Sequence, residues 1–283
     1  NKKSNTNAVE TMMKDTIFTN VVQNLDDNTG WWEGLNDKPP ENAIDWKGQP
    51  WNGKENKENG AHPNSRFTSF AKNCPCISSE FKNEKGVPIS AIVFGGRRSD
   101  VTPLVYQAFD FNHGVFVGST MASETTAAAS GNIGVVRRDP MAMLPFCGYN
   151  MGEYFKHWLN IGEKLGDKAP KIFNVNWFKT DEKGRFIWPG FGDNLRVLEW
   201  ILNRCNEKID AKGTPIGYTP ILEDVNIDDL NIDVDTMKKV LEVNNDTWIK
   251  ESDEIDNLYQ KFGEDLPCEL KKQLKQLKER LKD

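Results

Sequence analysis

Between Asn174 and Asn194 the sequence reads NVNWFKTDEKGRFIWPGFGDN, which places Trp177, Phe178, Phe186, Trp188 and Phe191 in one short span. Its middle, Lys179, Asp181, Glu182, Lys183 and Arg185, faces water, and Pro189-Gly190 with Gly192 break any regular strand ladder. Before it, Lys171–Asn176 (KIFNVN) reads as a strand. After it, Leu195–Leu202 begins an apolar helix that Asp193 or Asn194 is placed to cap. The predicted order is therefore strand, aromatic turn, helix, with a helix N-terminus beside the rings. Two readings of the rings stand. Either they fill the core beneath a hairpin, or they converge on a flat ring system, which stacks on aromatic faces at roughly 1–3 kcal/mol per base. In the second case, backbone groups near Phe191, Gly192 and Asn194 read the polar edge of the guest.

Other segments place this span in a mixed α/β fold. Val87–Phe94 (VPISAIVF) is a near-continuous apolar run of strand length, predicted to be buried. It ends in Gly95-Gly96-Arg97-Arg98, where glycines admit close approach to the backbone and two guanidiniums offer forked donors to phosphate or carboxylate oxygens. A surface arginine pair after a turn explains the same residues. Val101–Phe111 is predicted as a short helix and Gly114–Gly118 (GVFVG) as a second buried strand. Ser123–Val135 joins small side chains to Gly131 and Gly134, which suits either a segment that opens and closes or a plain surface loop. Gly152–Leu165 is an amphipathic helix, and Leu270, Leu274, Leu277 and Leu281 mark one face of a C-terminal helix.

The first 60 residues are loop-rich, with Thr16–Val21 the first strand. Trp31, Trp32, Trp46 and Trp51 there either pin loops to the core or offer platforms for a sugar. Residues 223–235 resemble a calcium loop, but Asp229 stands where that loop requires Gly and no Glu closes it; Asp235 is expected to cap the next helix instead. A net charge of -6 argues against a general nucleic-acid binder, and no apolar run is long enough to span a bilayer. Five scattered cysteines fit a reducing cytoplasm. Neither Cys74-Pro75-Cys76 nor the three histidines have metal-ligand spacing. The opening NKKSNTNAVE, with no initiator Met and no signal pattern, reads as the interior of a longer protein.

No GxxxxGK[ST], GxSxG or HExxH occurs. What remains is a set of receivers: two arginine-bearing segments, a Gly-hinged loop and clustered aromatics. Five motifs, HPNSRF (62–67), FGGRR (94–98), SETTAAA (123–129), FNVNWF (173–178) and WPGFGDN (188–194), occur in that order. Together they closely resemble the C-terminal half of the GTP-dependent phosphoenolpyruvate carboxykinase family, and the resemblance runs from Asp15 to the last helix.

The resemblance implies the C-terminal, nucleotide-binding domain of that fold over residues 1–283, with a mobile lid at 123–135. It implies a lyase that decarboxylates oxaloacetate and transfers phosphoryl from GTP, yielding phosphoenolpyruvate, GDP and carbon dioxide. Such an enzyme belongs to cytoplasmic gluconeogenesis, uses Mn²⁺ and Mg²⁺, binds neither membrane nor nucleic acid, and acts at full length as a monomer. By this resemblance Asn64, Ser65 and Arg66 hold the carboxylate-bearing substrate, with Arg66 also near the transferred phosphoryl group, and Arg97 meets the terminal phosphate of the nucleotide. Ser123, Glu124, Ala128, Gly131 and Gly134 belong to the lid. Trp177, Phe178, Phe186, Phe191, Gly192, Asp193 and Asn194 form the guanine pocket. The family's phosphate loop, second acidic motif and Mn²⁺ ligands are expected upstream of residue 1, so no metal ligand is expected in this chain and it is expected to be inactive alone. Many family lids carry a His near the apex, where this sequence has Gly131, Asn132 and Ile133. The alternatives are a pyrophosphate-dependent relative, which needs no guanine pocket, and a non-catalytic nucleotide- or carbohydrate-binding module.

Overall fold

The structure is a computed structural model that describes residues 6–126, 133–230 and 232–282. The chain divides into two compact units, one ending at Val87 and one beginning at Pro88.

The first unit holds helix α1 (Thr6–Glu10) and six short strands: β1 (Ile17–Thr19), β2 (Val22–Asn24), β3 (Gly30–Trp31), β4 (Ala43–Ile44), β5 (Pro50–Trp51) and β6 (Arg66–Thr68). β1 pairs with β6, and the other four form a sheet in the order β3-β2-β4-β5. The strand expected at Thr16–Val21 is split, because Asn20 takes a left-handed φ of 58° and turns the chain from one sheet into the other. Trp31 and Trp51 are buried with Val22 and Ala43, their rings 5.6 Å apart. They pin loops to a small core and present no open face to a sugar.

The second unit is built on a five-stranded mixed sheet in the order β12-β13-β8-β11-β7. Its elements in chain order are β7 (Ala91–Gly95), β8 (Val105–Gln107), α2 (Phe111–Ser119), the hairpin β9 (Ala122–Glu124) and β10 (Val136–Arg138), α3 (Met151–Leu165), β11 (Lys171–Val175), α4 (Asn194–Cys205), β12 (Lys212–Thr214), β13 (Gly217–Thr219), α5 (Val234–Leu241), α6 (Asn245–Gln260) and α7 (Cys268–Arg280). β11 runs parallel to β7 and antiparallel to β8. The period-2 geometry of a strand sends Ile172 to one face of the sheet and Phe173 and Val175 to the other. The first face is covered by α2, α3, α6 and α7 through Phe116, Phe155, Ile255, Leu270 and Leu277, and the second by α4 and α5 through Val197, Trp200, Met237 and Val240. Cover on both faces keeps Val105, Ile172, Phe173 and Val175 buried, whereas the run Val87–Phe94, expected to be a buried strand, ends in the edge strand β7 and leaves Val87, Ile89 and Val93 exposed.

Two expected elements are exchanged. Gly114–Gly118 lies in helix α2, and strand β8 stands where Val101–Phe111 reads as a helix. A five-residue apolar run does not separate helix from strand. The deciding feature lies outside it: the Asp110 carboxylate accepts the His113 backbone N–H at 2.7 Å and caps α2. The glycines then allow the helix to lie close on the sheet, since a Cβ on Gly114 would come within 2.4 Å of Ile172.

His113 is buried in α2 between the rings of Phe109 and Phe116, and its Nδ1 accepts the Phe109 N–H at 3.0 Å. Burial, with the charge of Arg280 adding to it, lowers its pKa to about 3. In the unfolded chain this imidazole takes up a proton near its ordinary value of 6.5, so between pH 6.5 and 3 the unfolded state holds the extra proton. Folding stability is therefore expected to fall as pH falls through that window, by up to about 1.4 kcal/mol per pH unit from this group. Urea midpoints measured from pH 4 to 7 in the intact protein and in His113→Gln test this: the variant should show a shallower slope.

Candidate functional site

The strand β7 ends at Gly95, and the residues after it are held by three neighbouring segments. Gly96 passes so close to β9 that a Cβ would meet the Ala122 carbonyl oxygen at 2.3 Å. The Arg97 N–H donates to Ser123 Oγ at 3.1 Å, and Ser99 donates its N–H and hydroxyl to Glu124 Oε1 at 2.8 and 2.7 Å. The Ser99 carbonyl accepts the Thr180 N–H at 2.8 Å, which attaches the hairpin 179–187. Asn176, almost wholly buried at the end of β11, completes the fastening. Its Oδ1 accepts from the N–H groups of Arg98 and Phe178 at 3.2 and 3.1 Å, and its Nδ2 donates to the carbonyls of Arg98 and Thr102, each at 2.8 Å.

This fastening separates two adjacent arginines. Arg98 turns inward and meets Glu251 of α6 with two parallel bonds at 2.9 and 3.0 Å, while Arg138 of β10 reaches the same carboxylate at 2.7 Å. All three side chains are largely buried. Burial works to raise the Glu251 pKa, but the hydrogen bonds and charge of Arg98, joined by those of Arg138, outweigh it and hold the carboxyl below its ordinary range. Arg98 Nε, Asn174 Oδ1 and Trp248 Nε1 have no protein partner, and their residues line a cavity of about 30 Å³, room for one water.

Arg97 turns outward. Its guanidinium carbon lies 3.8 Å from the ring centroid of Phe178 and 5.8 Å from that of Phe186, and the two rings meet edge to face at 5.8 Å. Phe186 and Phe191 are mostly exposed, whereas Trp177 leans on the core formed with α4 and α5. Trp188 is wholly in that core, so the aromatic span divides: Trp188 inside, Trp177 and Phe178 half-buried, and Phe186 and Phe191 at the surface. Neither expected cap of α4 forms. The Asn194 Oδ1 accepts the Trp188 indole N–H at 2.8 Å, and the Asp193 carboxylate pairs with Arg196 at 3.1 Å. Asp235 likewise does not cap α5; Asp233 does, accepting the Thr236 N–H at 2.7 Å, because the helix starts two residues earlier, at Val234.

The hairpin of β9 and β10 carries Ser123 and Glu124 at its root, and Gly134 takes a φ of 80°. Ala128 and Gly131 lie outside the described residues. Asn64, Ser65 and Arg66 belong to the first unit, where Arg66 donates to Asn64 Oδ1 at 3.2 Å and lines a cavity of about 660 Å³ with Ser65, His62, Trp32 and Glu33. Among the described residues no three His, Cys, Asp or Glu side chains converge to hold a metal ion. A groove of about 1250 Å³ between β12–β13 and α5 has no aromatic lining and no exposed arginine.

Residues 1–280 match the family model described as phosphoenolpyruvate carboxykinase C-terminal P-loop domain. The chain belongs to the GTP-dependent phosphoenolpyruvate carboxykinase family. It is 49% identical over 282 residues to the phosphoenolpyruvate carboxykinase (GTP) of Anaeromyxobacter dehalogenans strain 2CP-1, covering 100% of this chain and 47% of that protein. It is 46% identical over 283 residues to that of Chlamydia pneumoniae, with coverage of 100% and 47%, and 48% identical over 280 residues to that of Chlamydia caviae, with 99% and 46%. The chain thus spans about half the length of the curated relatives it matches. The relatives' GTP designation sets aside the pyrophosphate-dependent alternative at the level of the family. The carboxykinase motif residues that sequence reasoning leaves without a role, Asn176 above all, prove to hold the site together. Its signal is an amide at the end of a mostly apolar strand, a group that is usually hydrogen-bonded once buried. Glu251, far along the chain on an acidic helix, carries no local signal.

Proposed function

We propose that the chain is the C-terminal domain, residues 1–283, of a carboxykinase that converts oxaloacetate and GTP to phosphoenolpyruvate, GDP and carbon dioxide. Loss of carbon dioxide from oxaloacetate leaves the enolate of pyruvate, whose oxygen takes the terminal phosphoryl group of GTP. The observation that carries this reading is the contact between Arg97 and the rings of Phe178 and Phe186, which puts a cationic donor and stacking faces in one continuous site. Stacking of a base is worth roughly 1–3 kcal/mol and an exposed cation–π contact about 0.5–1 kcal/mol, so an arriving guanine displaces the guanidinium from the Phe178 face. Arg97, freed, is available to the phosphate oxygens, where it offsets the charge spread over them during transfer.

Phe191, Gly192, Asp193 and Asn194 are assigned to the base edge, with Trp177 backing the pocket. For Asp193 and Asn194 the backbone is the reader, since their side chains are engaged by Arg196 and Trp188. Asn64, Ser65 and Arg66 are assigned to the carboxylate substrate. Residues 123–135 are assigned to a lid that shields the enolate from protonation. Its root, Ser123 and Glu124, is bonded to Arg97 and Ser99, so lid and arginine are fastened to each other. Among the described residues no three candidate ligands converge on a metal ion, and the Mn²⁺ and Mg²⁺ of the assigned reaction are assigned to other residues. The intact protein is a cytoplasmic, gluconeogenic monomer in this reading.

Guanine nucleotide affinity in the intact protein tests it. Phe186→Ala and Phe191→Ala remove exposed rings and should each weaken GDP binding by about 5- to 150-fold, with an unchanged urea midpoint. The isolated chain, assayed alongside with oxaloacetate, GTP and Mn²⁺, should give no turnover. Unaltered GDP affinity in both variants would sink the guanine-pocket assignment.

A further inference from the structure

All five cysteines are free thiols. Cys147 and Cys205 direct theirs to backbone carbonyls, of Tyr149 at 3.4 Å and Ser90 at 3.5 Å. Cys74 and Cys76 direct theirs at each other, with the Sγ atoms 3.6 Å apart. The backbone enforces this meeting. Ala71–Asn73 forms a single 3-10 turn, closed by the Cys74 N–H on the Ala71 carbonyl at 2.9 Å. The Ile77 N–H then donates to the Cys74 carbonyl at 3.3 Å, which closes a second tight turn over Pro75, whose ring fixes φ. The turn is tethered from outside, since Asn73 Nδ2 donates to the Thr11 carbonyl at 3.1 Å and Ser69 Oγ meets Thr11 Oγ1 at 3.0 Å. Cys76 is exposed and Cys74 half-buried, so the pair is open to small solutes.

We propose that Cys74 and Cys76 form a reversible redox site that low-molecular-weight disulfides oxidise to an intramolecular Cys74–Cys76 disulfide. This rests on thiol geometry alone and is independent of the assigned reaction. A resident metal is the weaker occupant, because among the described residues no third His, Cys, Asp or Glu converges on the pair, and two sulfur ligands leave a tetrahedral ion half bound. The Cys76 thiol is pushed up by its hydrogen bond to Cys74, which makes Cys76 the slower of the two to attack first. In the first step Cys74 gives its proton to solvent and its thiolate attacks one sulfur of the reagent disulfide. The reagent S–S bond breaks, a Cys74 mixed disulfide forms and one thiolate leaves. Cys76 then gives its proton to solvent, and its thiolate attacks the Cys74 sulfur and expels the second thiolate. Two protein thiols are oxidised, two electrons pass to the reagent, and two free thiols are released. The second step wins over a lasting mixed disulfide because its nucleophile is already in place, 3.6 Å from the sulfur it attacks.

The intact protein, equilibrated in glutathione buffers of increasing oxidised fraction, then acid-quenched, alkylated with N-ethylmaleimide and digested with trypsin, tests this. Both cysteines fall in the peptide Asn73–Lys82. The expected product is that peptide lighter by two hydrogen atoms, unalkylated and restored by dithiothreitol, at ratios where Cys147, Cys205 and Cys268 are still alkylated. In Cys76→Ser the glutathione adduct on Cys74 should persist. The proposal is overturned if the peptide stays fully alkylated while the other three cysteines gain adducts. It is overturned equally if the wild-type protein accumulates glutathione on Cys74 or Cys76 without closing the ring.

Discussion

Arg97→Ala in the intact protein is expected to lower kcat for phosphoenolpyruvate formation by roughly 10³-fold or more, the scale of losing an arginine that stabilises phosphoryl transfer. Stability should hardly change. The guanidinium is partly exposed, and its contact with Phe178 is worth about 0.5–1 kcal/mol at such a site. Arg97→Lys should recover little of the rate, because an ammonium keeps the charge but lacks the planar fork that meets two phosphate oxygens at once. The measurement is kcat and KM for GTP across both variants, with urea unfolding as the control. A kcat within tenfold of the parent in Arg97→Ala would remove this side chain from the phosphoryl site.

Glu251→Gln should be the opposite kind of variant, costly to folding. The carboxylate is the shared partner of two buried guanidiniums, and removing one member of a buried ion cluster typically costs about 3–5 kcal/mol, because the remaining charges stay desolvated and unpaired. The same reasoning predicts a rescue: a triple replacement, Arg98→Met, Arg138→Met and Glu251→Leu, should regain much of the loss, since it leaves no buried charge. Chemical denaturation of the three forms distinguishes these outcomes. The pH dependence has a definite sign. Because the folded-state carboxyl is held below its ordinary value, its stabilisation is present above the unfolded carboxylate range and is lost as pH falls through the folded pKa. It therefore adds to the acid sensitivity expected from His113. Equal stability of Glu251→Gln and the parent would mean that water, rather than the carboxylate, satisfies both arginines.

Much of this arrangement was legible along the chain. The strand at Lys171–Val175, the helices at Met151–Leu165 and Asn194–Cys205, and the C-terminal leucine face follow from apolar period alone. The five ordered motifs sufficed for the family. Local pattern failed where one run suited two structures: GVFVG became helix α2 because Asp110 capped it and its two glycines let it lie on the sheet. It failed again for the caps of α4, where Asn194 was taken by the indole of Trp188.

Arg97 and Arg98 set the limit of such reading most clearly. They are identical residues side by side, and nothing within ten positions separates them. Their fates differ because Glu251, 153 residues beyond Arg98, arrives from α6 and neutralises it, while Phe178 and Phe186 arrive from the loop after β11 and receive Arg97. The same holds for the aromatic span, where packing against Val197 and Trp200 draws Trp188 inside and leaves Phe186 and Phe191 at the surface. By itself the sequence determined which elements form and which family they belong to, since period, capping and motif order are local quantities. Only the tertiary structure decided which arginine is free and which ring is open, because burial and charge pairing depend on partners that are distant in the chain and neighbours only once it is folded.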